Sequence, residues 1–327
     1  MKKNVSIIIP ARNNEKVIGE CLESLRRQDY PKKNYEIIIA DDHSIDSTAK
    51  TAKKYNAKVV TSYGPPGRQR NRAISAASGN ILGFIDSDCI AKRNWISEGV
   101  KHFGSNEVAV VGGPNLTPKT DPFIAKCIGY VSSSKIATGS MSARYVRDGF
   151  GLKEADETSL ISCNMFARKD VVERAGCFST EIFPNEENEL MVKIKKMNYR
   201  MFYTPNLIVW HHRRSSILGY LKQNLSYGKS RAKLIKMHHS ALKPIHPFPS
   251  IFVLFLIFGP LLSFLSSFFK TLFFSTLLLY FSFIILVSIR KSFKEKNIRI
   301  AVILPMLFVI LHVSYGIGFL LGMISKK

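Results

Sequence analysis

Two hydrophobic patterns divide the chain. Over residues 1–215, short β-branched runs each give way to a polar or helix-period stretch: NVSIIIP (4–10), YEIIIAD (35–41), AKVVTS (57–62), NILGFID (80–86) and EVAVVGG (107–113). Strands and helices in turn predict an α/β domain built on a mostly parallel sheet flanked by helices. Such sheets bind ligands beyond the carboxyl ends of their strands. The polar clusters fall there: PARNNE after the first run, DDHSID after the second, GPPGRQRN after the third, and Asp86-Ser87-Asp88 after the fourth. Four loops converging on one edge predict a single site.

Downstream of about residue 245 the pattern changes. Residues 251–269, 271–289 and 300–324 carry no charge, and each approaches the roughly 20 apolar residues that cross about 30 Å of hydrocarbon. The expected organisation is an α/β domain over 1–215, an amphipathic interfacial linker over 216–247, and two or three transmembrane helices over 248–327. In the linker Leu218, Tyr220, Leu221, Leu225, Leu234 and Ile235 are interleaved with lysines, as in a helix lying on an anionic bilayer. Lys270 alone separates the first two apolar runs, which predicts a tight hairpin there. The basic loop RKSFKEKNIR (290–299) is placed in the cytoplasm by the positive-inside rule. The first two runs then go out and back, and the third leaves Lys326 and Lys327 outside unless it is re-entrant. The apolar run after Met1-Lys2-Lys3 is only a strand's length and ends at Pro10, so it is not read as a signal peptide, and the α/β domain is expected in the cytoplasm.

Charge sharpens this picture. A formal net charge of +23 on 327 residues favours phosphate-bearing ligands and an anionic membrane face as partners; nucleic acid is not among the expected ones. The five cysteines, Cys21, Cys89, Cys127, Cys163 and Cys177, are odd in number and contain no CxxC pair. They are read as reduced thiols, with no zinc or redox motif.

Asp86 and Asp88 lie two residues apart at a strand end. In an extended chain they share a face, where their charges repel unless a cation sits between them. Mg²⁺ or Mn²⁺, hard ions that favour oxygen, meets that need while bridging to a diphosphate. Arg68, Arg70 and Arg72 add cationic partners for the diphosphate, and Gly64 and Gly67 permit close backbone approach. The same segment lacks the Gly-Lys-Ser/Thr ending of a nucleoside-triphosphatase loop, which discounts that class.

Four segments, VSIIIPARNNEKVI, EIIIADDHSIDST, GRQRNRAISAASGNILGFIDSD and FPNEENELMVKIKKMNYRMFYTPN, resemble in order the signatures of the family 2 glycosyltransferases, inverting enzymes with the GT-A nucleotide-sugar-binding fold. The resemblance covers about the first 210 residues. It implies that Pro10, Arg12 and Glu15 line the nucleoside pocket, with Asp41 or Asp42 at the base or ribose. Asp86 and Asp88 would be the metal-diphosphate motif, Asp88 the more direct ligand. In NEENEL the family has Glu-Asp, then another acid and Leu, the second residue of the pair being the catalytic base. Glu187 stands at that position after Glu186, glutamate replacing aspartate, so either carboxylate is a candidate. Inversion independently requires a base across the site from the leaving diphosphate, and crowding of two carboxylates raises the proton affinity of one.

In VWHHRRSS (209–216) the resemblance makes His211 or His212 a further metal or diphosphate ligand, and Trp210 suits a membrane interface. The Gln-x-x-Arg-Trp motif of processive synthases is missing from the segment starting at Gln223, which argues for transfer of single sugars. The expected protein is a multi-pass membrane enzyme that moves a sugar, with Mg²⁺ or Mn²⁺, from a nucleotide-diphosphate donor to a lipid-linked acceptor. A polyprenyl-phosphate glycosyltransferase, a nucleotidyltransferase and a non-catalytic nucleotide-sugar-binding protein are the alternatives.

Overall fold

The computed structural model describes residues 4–147 and 151–325. The chain divides into two compact units, one of Met1–Pro118 with Ser140–His212 and the other of Lys119–Gly139 with Arg213–Lys327. Its strands are β1 (Val5–Ala11), β2 (Tyr35–Asp41), β3 (Lys58–Thr61), β4 (Ile81–Ile85), β5 (Cys89–Ala91), β6 (Val108–Gly112), β7 (Asn115–Leu116), β8 (Lys153–Glu154), β9 (Asn164–Arg168), β10 (Arg200–Tyr203) and β11 (Val209–His211). Its helices are α1 (Ile18–Arg26), α2 (Thr48–Lys54), α3 (Pro66–Ser75), α4 (Trp95–Val100), α5 (Phe123–Ser132), α6 (Lys135–Thr138), α7 (Lys169–Arg174), α8 (Glu186–Lys196), α9 (Ile217–Met237), α10 (Phe248–Ser263), α11 (Ser267–Glu295) and α12 (Arg299–Ile324).

All strands lie in the first unit. Its main sheet has the order β3-β2-β1-β4-β9-β6-β10-β8. Strands β1 to β4 pair in parallel; β9 runs antiparallel to both β4 and β6, and β8 is an antiparallel edge. The expected mostly parallel α/β sheet is present, with a reversal at β9 that the apolar runs did not announce. Alternate residues of β1 serve opposite faces: Ile7 and Ile9 join a core with Leu22 and Trp95, while Ile8 joins Phe84, Phe178 and Leu190 on the other side. Both faces are therefore dry, as a sheet covered by helices requires. A smaller sheet, β5-β11-β7, sets β11 antiparallel to β5, with His211 opposite Cys89.

The second unit is helical. The break between its first two apolar helices falls at residues 264–266, not at Lys270: Ser266 has extended backbone and its hydroxyl accepts the Phe269 amide at 3.4 Å, so the helix starts there and Lys270 lies in its first turn. At about 1.5 Å per residue, α10 with 16 residues is about 24 Å long, α11 with 29 about 43 Å and α12 with 26 about 39 Å. Only α11 and α12 are long and apolar enough to be candidate membrane spans among the described residues. Phe264, Leu265, Phe268, Leu278 and Leu279 are exposed on this unit, a surface suited to hydrocarbon. α12 continues to Ile324, so the last segment makes no re-entrant turn among the described residues; Lys326 and Lys327, like Met1-Lys2-Lys3, lie outside them.

Helix α9 packs along α12 with backbones nearly touching. A Cβ on Gly228 would meet the Tyr315 carbonyl at 2.2 Å, and one on Gly318 the Leu225 carbonyl at 2.1 Å. Small residues at helix contacts permit such approach. Lys236 donates to the Gly322 and Ser325 carbonyls at 2.9 and 2.8 Å, satisfying the end of α12 with a cation. Of the linker residues expected on an amphipathic face, Tyr220, Leu234 and Ile235 are buried, whereas Leu218 and Leu221 are exposed. Gly318→Val is expected to push α9 off α12, costing about 1–3 kcal/mol or more. Thermal unfolding of the full chain in detergent measures this; an unchanged midpoint would contradict the contact.

Candidate active site

The first two loops are tied together by short polar side chains. Asn13 takes a left-handed backbone, its amide donates to Ser44 Oγ at 2.9 Å, and its Oδ1 accepts the Ile45 amide at 3.0 Å. The Glu15 amide donates to Asp46, and the Glu15 carboxylate accepts the Ser47 amide, at 3.1 and 3.0 Å. Asp41 accepts from the Ser44 hydroxyl at 2.6 Å. Asp42, buried, receives Arg12 Nη1 and the Gly64 amide, both at 3.1 Å. Pro10, Arg12, Glu15, Asp41 and Asp42 thus gather at the ends of β1 and β2, with the third loop drawn to them through Gly64.

Residues 66–75 are helix α3, where residues two apart point to opposite sides. Arg68 and Arg72 are exposed, while Arg70 is 3 % exposed. Arg70 does not point outward as a diphosphate ligand. Its Nη2 bonds Asp86 Oδ1 at 2.7 Å and its Nη1 bonds Glu186 Oε1 at 2.6 Å, while the Phe178 ring lies 5.5 Å from its Cζ. Burial opposes charge on Arg70, but the Asp86 and Glu186 carboxylates more than offset it and raise its pKa. Gly67 also differs from expectation: a Cβ there would lie 2.4 Å from the Ser179 carbonyl, so it admits protein backbone.

Asp86, Asp88 and His211 bring their ligand atoms within 4.8 Å of one another. His211 Nε2 is 3.3 Å from Asp88 Oδ1. The strand pairing of β11 with β5 produces this approach, because His211 lies opposite Cys89, next to Asp88. His212 instead turns to Glu20, at 3.5 Å. Burial opposes protonation of His211, but the Asp88 carboxylate and Cys163 raise its pKa well above the ordinary imidazole value. Cys163 is held at about 6, chiefly by the hydrogen bond with Cys89 and against burial, with His211 adding to the effect.

Across from this group, α8 begins at Asn185, whose backbone is left-handed, and sets Glu186, Glu187 and Glu189 in its first turn, where the helix dipole favours acids. Glu186 and Glu187 are 3 % and 5 % exposed. Burial first, and then the neighbouring Glu187 charge, push Glu186 up to about 7 against the lowering effect of Arg70. Glu187 lies 4.0 Å from Arg144 Nη1. Arg144 and Asn188 both donate to the Glu157 carbonyl, at 2.6 and 2.5 Å, which fixes the turn of α8 that carries Glu187. Neither Arg144 nor Glu157 falls in a motif, and nothing in the local sequence singles them out.

The family model for glycosyl transferase family 2 matches residues 6–176. The chain belongs to that family: it is a glycosyltransferase with the GT-A fold. It is 26 % identical, over 98 % of its length and 97 % of the relative's, to the dolichyl N-acetyl-alpha-D-glucosaminyl phosphate 3-beta-D-2,3-diacetamido-2,3-dideoxy-beta-D-glucuronosyltransferase of Methanococcus voltae. It is also 26 % identical to the glycosyltransferase AglE of Haloferax volcanii, covering 74 % of this chain and 77 % of that one. A mannosyltransferase from Pyrobaculum calidifontis, solved with GDP-Man and Mn²⁺, has a similar structure, with TM-score 0.57 at 17 % identity, covering 74 % of this chain and 66 % of the other. Staphylococcus aureus TarS with UDP-GlcNAc gives TM-score 0.52 at 19 % identity, covering 77 % and 71 %. The chain therefore spans about two thirds of those solved structures and nearly all of the Methanococcus relative.

Proposed function

We propose that the chain is an inverting, divalent-metal-dependent glycosyltransferase acting from a nucleotide-diphosphate sugar on a lipid-linked saccharide at the membrane. The observation that carries this reading is the convergence of Asp86, Asp88 and His211 within 4.8 Å, joined through Arg70 to the acidic start of α8. Two carboxylates and an imidazole suit Mg²⁺ or Mn²⁺. A bound ion would supply Lewis-acid stabilisation of the charge that develops on the diphosphate.

The chain's own residues do the rest. Arg12 with Asp42, and Glu15 and Asp41 beside them, form the nucleoside side, and exposed Arg68 meets the diphosphate. Arg70 is a positioning residue that sets Asp86 against Glu186. Burial raises the proton affinity of Glu186, and Glu187 takes the acceptor's hydroxyl proton as the acceptor oxygen bonds the anomeric carbon and the diphosphate oxygen departs from the opposite face. The Methanococcus relative's name supports a hydroxyl acceptor, since it describes glucuronosyl transfer to a dolichyl-phosphate-linked N-acetylglucosamine. The candidate spans α11 and α12 support a membrane location.

Full-length protein in vesicles, given a panel of nucleotide sugars with lipid-linked saccharides, is expected to form a lipid product heavier by one glycosyl residue in mass spectrometry. Chelation should lower the rate at least tenfold, and added Mn²⁺ or Mg²⁺ should restore it. A product on polyprenyl phosphate itself would favour that acceptor instead, and pyrophosphate release from a nucleoside triphosphate would replace the reading with nucleotidyl transfer.

A further inference from the structure

The proposed reaction has no use for the two thiols packed beneath its metal ligands. Cys89 and Cys163 are 0 % and 1 % exposed, and with His211 they bring three ligand atoms within 4.8 Å of one another. Seventy-odd residues apart in sequence, they meet through strand register. Cys89 starts β5 opposite His211 of β11, and Cys163 immediately precedes Asn164, which pairs with Ile85 at the end of β4. Asn164 is fixed in turn, accepting from Trp95 Nε1 at 2.7 Å and donating to the Pro114 and Leu207 carbonyls at 2.9 and 2.7 Å. Cys89 is therefore held in β5, and Cys163 in the turn that enters β9, beside a satisfied amide.

We propose that Cys89, Cys163 and His211 form a second site, for a soft divalent ion of the Zn²⁺ type, and that this ion competes with the hard ion for His211. Thiolate ligands select Zn²⁺ over Mg²⁺ and Mn²⁺. Tetrahedral bonds of about 2.0–2.3 Å set ligand atoms roughly 3.5 Å apart, so the trio needs to close by only about an ångström. Binding displaces the protons held on the thiols and on His211 to solvent, and a fourth position stays open to water. His211 is shared with Asp86 and Asp88, so a thiolate-bound ion takes one of the hard site's three donors. The competition, though not the thiolate site, rests on the functional reading above.

Co²⁺ distinguishes the two sites, because thiolate ligation gives an intense near-ultraviolet charge-transfer band and carboxylate–imidazole ligation does not. Reduced full-length protein in detergent, titrated with Co²⁺, is expected to show this band at one equivalent and to lose it to Zn²⁺. Cys163→Ser and Cys89→Ser should abolish it, whereas Cys127→Ser, in the helical unit, should keep it. Mn²⁺ binding followed by electron paramagnetic resonance should weaken at least tenfold when Zn²⁺ is present, in the unaltered protein but not in Cys163→Ser. Absence of the band from the unaltered protein, which needs no variant to fold, overturns the site. Unchanged Mn²⁺ affinity with Zn²⁺ bound overturns the competition. A band without any Mn²⁺ binding supports the thiolate site and rejects the hard-ion reading.

Discussion

Glu187→Gln is expected to lower transfer to a hydroxyl acceptor by about 10²- to 10⁴-fold, the range typical of a lost general base, with donor affinity nearly unchanged. The substitution keeps the shape of the side chain and its place in the first turn of α8, 4.0 Å from Arg144, and removes only the ability to accept a proton as a carboxylate. Glu186→Gln should cost far less, because Glu186 Oε1 is engaged by Arg70 and the group already holds a proton near neutrality, at about 7. Initial rates and calorimetric donor binding, measured for both variants, separate the roles. A reversed order of severity would make Glu186 the base. Near-normal rates in both would mean an acceptor that arrives already ionised, such as a phosphate.

Much of this site is written in the chain. Continuous β-branched apolar runs predict β1, β2, β3, β4 and β6, and the polar clusters at their ends meet as expected, because strand ends in a parallel sheet face one way. What escaped notice depends on three-dimensional pairing. β9 is only five residues long, Asn164–Arg168, and opens on a buried asparagine, so its apolar signal is weak. Cys89 and Cys163 have no sequence spacing that suggests a shared ligand; register alone joins them. Arg70 is a different case. Reading GPPGRQRN as a loop gave all three arginines one job, yet the helical period turns Arg70 inward with Gly67, Ala73 and Ile74 while Arg68 and Arg72 stay exposed, and Pro65 and Pro66 at the start of α3 are the signal for a helix there. In the second unit, absence of charge marks the apolar runs but not where one helix ends, because Ser266 rather than a charged residue starts α11.

That inward arginine carries the other large effect. Arg70→Met is expected to destabilise the catalytic unit by about 3–5 kcal/mol, the usual consequence of removing one partner from a buried ion pair, and to lower its unfolding midpoint by roughly 6–20 °C at 2–4 °C per kcal/mol. Arg70→Lys should recover only part of this, since a single ammonium does not reproduce the fork that reaches Asp86 and Glu186 at 2.7 and 2.6 Å. The loss should also depend on pH. Glu186 rises from an ordinary 4.5 to about 7 on folding, so the folded chain holds a proton that the unfolded chain releases between those values. Its contribution is most favourable below about 4.5 and is lost as pH rises through 7. Without the guanidinium this carboxyl moves higher still, and the variant should lose more stability at pH 8 than at pH 5. Adding Glu186→Gln to Arg70→Met removes one of the two stranded charges and should recover stability chiefly at the higher pH. Equal losses at both pH values, with no recovery in the double variant, would mean that Arg70 matters for its packing on Phe178 and not for the charges it joins.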